Sequence, residues 1–323
     1  MANPRRGHAA AVSLAGASLL VACSASSPTR PSPPTPTRPS DTMAVVTTSS
    51  VPTTSTTTVV TAPPSTSPAA VAGPVVEGRW VPLGPVVHGV PSLLATLVRP
   101  GAGGPLVGVV RIDTAVTRLV LYAGTAEPGG TWPDQGSVAP AGRAGLVAAF
   151  NSGFHTWASN GGWYDDGRVA VPLRAGQASL LIRTDGSATV GMLGRDFSLG
   201  PDVASIRQNL GLLVDRGADV SVGGYWGAVL HGGTSTWRSG LGVDAAGNLV
   251  YAGGPGLDPG SLADVLIRAG AVRAMELDIN PQWVAFSYYP SPGDGADLLP
   301  SMHYGPDRWL SGSTRDFLAV FVR

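Results

Sequence analysis

The stretch at residues 261–280, SLADVLIRAGAVRAMELDIN, decides how the C-terminal part of the chain folds, because its apolar pattern changes period halfway along. In the first half, four apolar residues recur at the helical spacing i, i+3, i+4, i+7: Leu262, Val265, Leu266 and Ala269. Ser261, with Asp264 three residues later, is similar to a capping box, and Gly270 fits the first position beyond a helix. The stretch therefore predicts a helix with Ser261 as its N-cap, followed by a strand over residues 272–279.

Alternation along that strand separates apolar from polar side chains. Three apolar residues are predicted on one face, Met275, Leu277 and Ile279, and three polar residues on the other, Glu276, Asp278 and Asn280. Carboxyl groups about 7 Å apart on one face raise each other's pKa, so that one can stay protonated and act as an acid. We predict Asp278 and Glu276 as catalytic residues and Asn280 as a substrate contact. The alternative is a structural ion pair between one acid and an arginine.

Short apolar runs separated by turn signals occupy residues 76–323, which we predict to form one domain. Turn signals at Asp166-Gly167, Asp185-Gly186 and Asp215-Arg216-Gly217 lie between such runs. We expect residues 107–112 to pair with 118–122, 180–183 with 189–193, and 241–243 with 249–252. A shorter helix is expected at residues 202–208. The predicted fold class is α+β, with a mixed, mostly antiparallel β-sheet core and a few covering helices.

The segment at residues 146–155, LVAAFNSGFH, is an apolar run that ends abruptly in polar residues and glycine. Polar groups at the end of a buried strand usually face a cleft. Asn151 can donate and accept hydrogen bonds, which suits a sugar hydroxyl or a phosphate oxygen, and Gly153 allows close backbone approach to a ligand. A histidine side chain can take up and release protons under physiological conditions, so His155 is a candidate proton shuttle. The alternatives are a turn held by an Asx hydrogen bond and a structural histidine.

The segment at residues 237–244, WRSGLGVD, carries an arginine into a strand from a glycine-containing loop. The guanidinium of Arg238 can bind a phosphate through two parallel hydrogen bonds, or it can form a salt bridge that fixes the loop. Seven aromatic residues lie in loop-like surroundings: Trp157, Trp163, Trp226, Trp237, Trp283, Tyr304 and Trp309. Such rings stack on sugars, so as a set they favour a carbohydrate ligand, although ordinary packing explains most of them individually.

The N-terminal segment has the layout of an export signal. Arg5 and Arg6 precede an apolar run at residues 9–20 that is too short to span a bilayer permanently. The run ends at LVAC, residues 20–23, which resembles the bacterial lipobox, and Cys23 is the single cysteine of the chain. We predict a lipoprotein signal peptide at residues 1–22, lipidation of Cys23, and a domain anchored to the extracellular face of the cell membrane. The alternative is an ordinary signal peptide with a chance cysteine.

Residues 23–75 are mainly Thr, Ser, Pro, Ala and Val, so we expect a disordered stalk. The formal net charge is zero, which argues against nucleic acid as a partner. The chain contains no lysine and is rich in Ala and Gly, a composition typical of a GC-rich genome such as an actinobacterial one. With Cys23 assigned to lipid, neither a disulfide nor a thiolate metal site is expected, and we expect a monomer.

Four segments in order give the chain a resemblance to the phosphodiester glycosidase family. The family pattern is a strand ending in Asn-x-Gly-Phe, an Asp-Gly hairpin, an Arg-x-x-x-Gly strand, and a helix leading to Leu-Asp-Gly-Gly-Gly-Ser. The matches are Asn151-Ser152-Gly153-Phe154, Asp185-Gly186, Arg238 with Gly242, and Leu277-Asp278, and residues 315–322 are similar to the family's last strand. The resemblance spans residues 106–323.

Two positions depart from the family pattern. The glycines after the aspartate are replaced by INPQW at residues 279–283, and His155 stands where the family often has an aromatic residue. A proline and a tryptophan at residues 281 and 283 reshape the pocket, and Trp283 is predicted to offer a sugar-stacking face.

The resemblance implies hydrolysis of a sugar-1-phosphodiester at the anomeric C–O bond, in a wall glycan or exopolysaccharide. It places Asp278 at the carbohydrate centre as nucleophile or base, with Glu276 as its acid/base or positioning partner. Arg238 then binds the phosphate and Asn151 orients the sugar. No cofactor is implied, although the acidic strand end leaves a divalent cation such as calcium open. Two alternatives stay open, a non-catalytic wall-polysaccharide-binding lipoprotein on the same fold and hydrolysis of a plain glycosidic bond.

Overall fold

A computed structural model of the chain describes residues 73–229 and 233–323. The predicted signal peptide, Cys23 and nearly all of the predicted stalk lie outside these residues. The chain divides into two units, Met1–Pro63 and Pro64–Arg323, and every described residue belongs to the second. Within the described part, no helix has the length and apolar character needed to cross a membrane.

The described residues form twenty strands and three α-helices. In chain order the strands are β1 (Val81–Pro82), β2 (Val86–Val87), β3 (Val90–Pro91), β4 (Leu93–Val98), β5 (Val107–Ile112), β6 (Thr117–Tyr122), β7 (Leu146–Asn151), β8 (Trp163–Asp165), β9 (Arg168–Val171), β10 (Ala178–Arg183), β11 (Ala188–Met192), β12 (Val203–Gln208), β13 (Leu212–Asp215), β14 (Ala218–Asp219), β15 (Thr236–Asp244), β16 (Leu249–Leu257), β17 (Ala271–Glu276), β18 (Phe286–Ser291), β19 (Asp294–Asp297) and β20 (Phe317–Val322). The helices are α1 (Thr156–Ser159), α2 (Pro259–Arg268) and α3 (Arg308–Ser311), and Pro140–Gly145 is a 3₁₀ helix.

Three main sheets are built from these strands. The largest has eight strands in the order β1-β4-β5-β16-β15-β17-β13-β14, and two five-stranded sheets have the orders β11-β10-β12-β8-β9 and β19-β18-β7-β20-β6. Strands β2 and β3 form a separate two-stranded sheet. Every pairing between these strands is antiparallel, as in β15 with β16 and β7 with β20. The α+β prediction with a mostly antiparallel core is confirmed.

The core lies between the sheets and under α2. The main apolar cluster contains residues from all three large sheets, among them Phe150, Trp163 and Tyr251. A second cluster packs Leu262 and Leu266 of α2 against the eight-stranded sheet. Full burial of a leucine stabilises the fold by about 1.5–3 kcal/mol, so the apolar stripe of α2 explains why this helix docks there.

The predicted C-terminal helix is confirmed, but its N-cap is not Ser261. The helix begins one turn earlier because Pro259 occupies its first turn, where a fixed φ and a missing N–H carry no penalty. The N-cap is Asp258, whose carboxylate accepts a hydrogen bond from the backbone N–H of Ser261 at 2.7 Å. Gly270 follows the C-cap with a φ of +101°, as its predicted position beyond the helix requires.

The strand after α2 is shorter than predicted. Regular pairing of β17 stops at Glu276, although Leu277 still donates a backbone hydrogen bond to Ser239 at 2.7 Å. The predicted alternation therefore fails beyond this point. Met275 and Leu277 belong to the main cluster, whereas Ile279 packs in the second cluster beside Phe154.

Of the predicted local pairings, the hairpins β10–β11 and β15–β16 are confirmed. The positive φ angles at Asp166-Gly167 and Arg216-Gly217 also fit the predicted turns. The pairing of residues 107–112 with 118–122 is wrong, because β5 and β6 belong to different sheets and β6 pairs with β20 near the C-terminus. The helix at residues 202–208 is wrong too, because this segment is β12, largely buried between β10 and β8.

Candidate functional site

Asp278 lies at the floor of a cleft of about 290 Å³. The irregular segment after β17 places its carboxylate where two kinds of donor meet it. Its Oδ1 accepts a hydrogen bond from the backbone N–H of Asn280 at 2.8 Å, and its Oδ2 accepts one from Nη1 of Arg315 at 2.7 Å. The residue is only 2% exposed but lines the cleft. Burial raises the pKa of Asp278. The charge of Arg315 and the backbone N–H groups of Asn280 and Ile279 oppose that rise.

Arg315 connects the segment before β20 to the segment after β7. Its Nη2 donates to the carbonyl oxygen of Gly153 at 2.6 Å, and its Nε lies 3.7 Å from Oε2 of Glu127. The guanidinium carbon is 4.9 Å from the ring centre of Trp283. Sequence reasoning assigned Arg315 no role. Its position two residues before an apolar strand that resembles the family's last strand was the available signal.

A second arginine adds positive charge near Asp278. The guanidinium of Arg308 is surrounded by aromatic rings at 4.4–4.7 Å: Trp283, Tyr304 and Trp309. Burial and, to a lesser degree, the charge of Arg315 lower the pKa of Arg308 to about 10, against the opposing effect of Asp278. Arg308 therefore stays charged at neutral pH and acts on the same carboxylate.

His155 and Glu127 form a pair at the rim of the cleft. Nδ1 of His155 lies 2.6 Å from Oε2 of Glu127, and Oε1 of Glu127 accepts a hydrogen bond from the backbone N–H of Thr156 at 2.7 Å. A carboxylate partner makes Nδ1 the donor nitrogen, which leaves Nε2 of the neutral ring as an acceptor. The predicted proton-shuttle residue thus lines the cleft, and its ring is oriented by a carboxylate.

Two exposed aromatic side chains flank the same cleft. Trp157 is 80% exposed and Tyr225 is 63% exposed, although both are large apolar groups. One side of the Trp157 ring stacks on His155 with ring centres 5.2 Å apart. Exposed rings beside a cleft are suited to stacking on a sugar.

Glu276 and Arg238 do not line this cleft. They form an ion pair in which the side chains are 0% and 2% exposed. The other donors of Arg238 bind carbonyl oxygens of Leu257, Trp226 and Thr234 at 2.9–3.1 Å. Burial raises the pKa of Glu276 to about 7, while Arg238 lowers it. This is the salt bridge that the sequence analysis held open as the alternative, because four hydrogen bonds of the buried guanidinium go to protein groups.

The side-chain amide of Asn151 also forms its hydrogen bonds with other groups of the protein. Its Nδ2 donates to the Ser152 carbonyl at 2.9 Å and to Ser239 Oγ at 3.0 Å, and its Oδ1 accepts from the Ala285 N–H at 3.1 Å. Ser239 Oγ also accepts from the backbone N–H of Asp278 at 3.3 Å. Asn151 therefore holds strand ends together beneath Asp278 rather than facing the cleft.

Of the three remaining residues that were predicted to contact substrate, only Asn280 lines the cleft. Asn280 is exposed and lines the cleft, and its Oδ1 accepts from the backbone N–H of Gln282 at 2.9 Å. A Cβ on Gly153 would meet the side chain of Asn209 at 3.2 Å, so its close approach is to protein. Trp283 is half-buried, and its ring contacts Arg308 and Arg315, which restricts the sugar-stacking face predicted for it.

No metal centre is formed by the residues that the structure describes, in which no group of three or more His, Cys, Asp or Glu side chains is arranged to hold an ion. The two acids of the predicted acidic strand end are each paired with an arginine. They therefore do not present a joint carboxylate pair to a cation such as calcium.

Comparison with known proteins gives likenesses among solved structures. No protein family profile matches the chain, and no curated protein matches it in sequence. The catalytic domain of zebrafish N-acetylglucosamine-1-phosphodiester alpha-N-acetylglucosaminidase, auto-inhibited by its pro-peptide, is similar over 74% of this chain and 87% of its own, with 16% identity and a TM-score of 0.48. A hypothetical protein from Synechocystis is similar over 79% of this chain and 65% of its own, with 15% identity and a TM-score of 0.44. A putative exported protein from Burkholderia pseudomallei is similar over 67% of this chain and 74% of its own, with 13% identity and a TM-score of 0.36. These are distant likenesses of fold.

Proposed function

We propose that this chain hydrolyses the C–O bond between a sugar and a phosphodiester, in a wall glycan or exopolysaccharide, at the cleft beside Asp278. The observation that carries the proposal is the Asp278 carboxylate at the cleft floor, held by Arg315 at 2.7 Å. The motif order described in the sequence analysis supplies the substrate class. The predicted signal peptide and Cys23 would place the domain outside the cell on a lipid anchor.

The chemistry assigns separate tasks to the residues of the cleft. Asp278 faces the anomeric carbon and stabilises the positive charge that develops there as the C–O bond breaks. A water oxygen forms the new bond to that carbon, and Nε2 of His155 takes the proton, with Glu127 holding the ring. The phosphate monoester leaves with the electron pair of the broken bond. Because this leaving group is a weak base, it needs little proton donation, and the positive charge of Arg315 stabilises it instead.

This proposal moves two roles from the residues that the sequence analysis named. The phosphate role passes from Arg238 to Arg315, because Arg238 is buried away from the cleft and Arg315 lines it. The acid/base role passes from Glu276 to His155, because Glu276 is buried against Arg238 and His155 lines the cleft.

A non-catalytic wall-polysaccharide-binding role is the second candidate. It is favoured by the exposure of Trp157 and Tyr225 and by the hydrogen bond that each Asp278 carboxylate oxygen already accepts from a protein group. Each hydrogen bond to a carboxylate oxygen stabilises the charged form and so weakens the group as a nucleophile or base, in opposition to burial, which raises its pKa.

One experiment separates these candidates. The purified chain and its Asp278→Asn variant are incubated with the methyl phosphodiesters of glucose 1-phosphate and N-acetylglucosamine 1-phosphate and with the matching methyl glycosides. Released sugar is measured, and binding of the same compounds is measured by calorimetry. Turnover of a phosphodiester that falls about 1,000-fold in the variant supports the proposal. Equal turnover of phosphodiester and methyl glycoside would indicate a plain glycosidase. Binding without turnover by either protein would indicate the binding role.

A further inference from the structure

A narrow recess opens beside the cleft and shares Asp278 and Arg315 with it. Its other walls include Ser152, which directly follows β7, and Asp316, which directly precedes β20. Phe317 lies opposite Asn151 in the register of these two strands, so the chain brings residues 152 and 316 to the same sheet end. Nothing in the proposed mechanism uses Ser152 or Asp316.

Three residues that line this recess each carry a buried polar atom with no hydrogen-bond partner among the residues that the structure describes: Ser152 Oγ, Asp316 Oδ1, and Arg315 Nε, which lies 3.7 Å from Oε2 of Glu127. The three residues are 2%, 4% and 6% exposed. The other carboxylate oxygen of Asp316, Oδ2, accepts a hydrogen bond from Nε of Arg207 at 2.7 Å. Buried polar atoms without partners are rare and costly, and three in one recess next to a candidate active site call for a ligand.

We propose that this recess is a hydroxyl subsite, which takes one hydroxyl group of the sugar whose anomeric carbon reaches Asp278. Asp316 Oδ1 accepts the hydroxyl proton, and Arg315 Nε and Ser152 Oγ donate to the hydroxyl oxygen. The proposal rests on the proposed function, because it names the part of the same site that holds the sugar. A hydroxyl group matches the recess because it both donates and accepts.

The charges of the recess favour a neutral hydroxyl over a phosphate oxygen. Two carboxylates, those of Asp278 and Asp316, line it together with one guanidinium, that of Arg315. Arg207 pairs with Oδ2 of Asp316, but an anion in the recess would still meet the unpartnered, negatively charged Oδ1 at short range. The phosphate consequently belongs on the open side of Asp278 and the sugar ring on the side of the recess.

The width of the recess favours a sugar hydroxyl over a trapped water molecule as its occupant. Its walls leave no room for a water molecule. Trp283 is the one lining side chain that is not buried, so a small movement of its ring is the readiest way to widen the space. A hydroxyl carried on a sugar ring can drive that movement with the binding energy of the rest of the sugar, which a single water molecule lacks.

The test compares Ser152→Ala with Ser92→Ala, because Ser92 Oγ is also buried and unpartnered but lies in neither the recess nor the cleft. Neither substitution removes a protein hydrogen bond, so both variants should unfold at the temperature of the wild type. Binding of a panel of methyl α-glycosides is measured by calorimetry, which requires no hydrolysis. The tightest binder is then replaced by its monodeoxy analogues.

For the parent glycoside we expect Ser152→Ala to weaken binding about three- to tenfold, the loss of one neutral hydrogen bond, and Ser92→Ala to change nothing. For one monodeoxy analogue, Ser152→Ala should have no effect, because the hydroxyl that it contacts is already missing. Equal losses for all analogues, unchanged binding in Ser152→Ala, or no binding of any glycoside overturns the subsite. Sugar binding with this pattern but without turnover would end the proposed hydrolysis and leave the subsite standing.

Discussion

Arg315 and Asp278 are separated by 37 residues in the chain, and their side chains meet at 2.7 Å at the floor of the cleft. The same guanidinium binds the carbonyl oxygen of Gly153 at 2.6 Å. One side chain therefore ties the segment after β7, the segment before β20 and the segment after β17 into a single site.

Arg315→Lys should disable the site while keeping its charge. A lysine ammonium lacks the planar fork that reaches Asp278 and Gly153 at once. We expect phosphodiester turnover to fall about 100-fold and the free energy of unfolding to fall by about 2 kcal/mol, measured by initial rates and by urea unfolding. The matched control is Arg183→Lys, an arginine on the surface that pairs with Asp202 and should leave both quantities unchanged. Equal behaviour of the two variants would show that Arg315 does not organise the site.

Glu276→Gln should alter the pH dependence of stability and spare turnover. Burial raises the pKa of Glu276 to about 7, above its ordinary value of 4.5, so the folded state favours the protonated acid. The stabilisation of the folded state by protonated Glu276 is fully present below about pH 4.5 and is lost as pH rises through about 7. The free energy of unfolding falls by about 3 kcal/mol over this range. Glutamine stays neutral and can still accept from Arg238, so the variant should lack this part of the decline.

The measurement for Glu276→Gln is urea unfolding at pH 5, 6, 7 and 8 beside the wild type. Asp165, whose pKa is raised to about 6 by burial, contributes to the slope in both proteins and cancels in the comparison. If the variant instead kept the wild-type slope and lost turnover, Glu276 would be the catalytic acid that the sequence suggested.

Local elements of this fold could be predicted from the sequence, and long-range ones could not. Helix α2 carries its own apolar period, and the β10–β11 and β15–β16 hairpins carry their own turn residues. The partners of β5 and β6 lie far along the chain, so the short turn between them predicted a hairpin that does not exist. The apolar residues of β12 had no local signal to separate a strand from a helix, and sheet pairing decided the outcome.

The candidate site shows the same division. Asp278, His155 and Asn280 were found from local patterns and do line the cleft. The prediction that Glu276 and Asp278 share one face assumed a regular strand with alternating side chains. The strand ends at Glu276, so the alternation does not extend to Asp278. Arg315 was missed because only the pairing of β20 with β7 brings it to Asp278. A single sequence does not reveal which arginine meets which acid.

His155→Gln should lower turnover about 100-fold with little effect on stability, because the ring lies at the rim and is 41% exposed. Glu127→Gln should cause a smaller loss of about tenfold, since it loosens the ring without removing Nε2. Initial rates on the phosphodiester and thermal unfolding check both. His88→Asn is the control, an exposed histidine with a φ of +50°, which asparagine tolerates. A full-rate His155→Gln enzyme would remove the histidine from the mechanism and leave Asp278 as the base.

Trp157→Ala should separate binding of a long glycan from chemistry at the cleft floor. The ring is 80% exposed, so its loss should not change the unfolding temperature. Loss of one stacked ring should weaken binding of purified wall polysaccharide about three- to tenfold, from a stacking energy of about 0.5–1.5 kcal/mol. The matched control is Trp80→Ala, because Trp80 is 41% exposed and lines a different hollow beside α2. Turnover of a small methyl phosphodiester should stay unchanged in Trp80→Ala and fall no more in Trp157→Ala than in Glu127→Gln, since the lost ring stacks on one side of His155 but supplies no group to the reaction. If both tryptophan variants lose polysaccharide binding equally, the glycan binds non-specifically to exposed aromatic side chains and not to a ring beside the cleft.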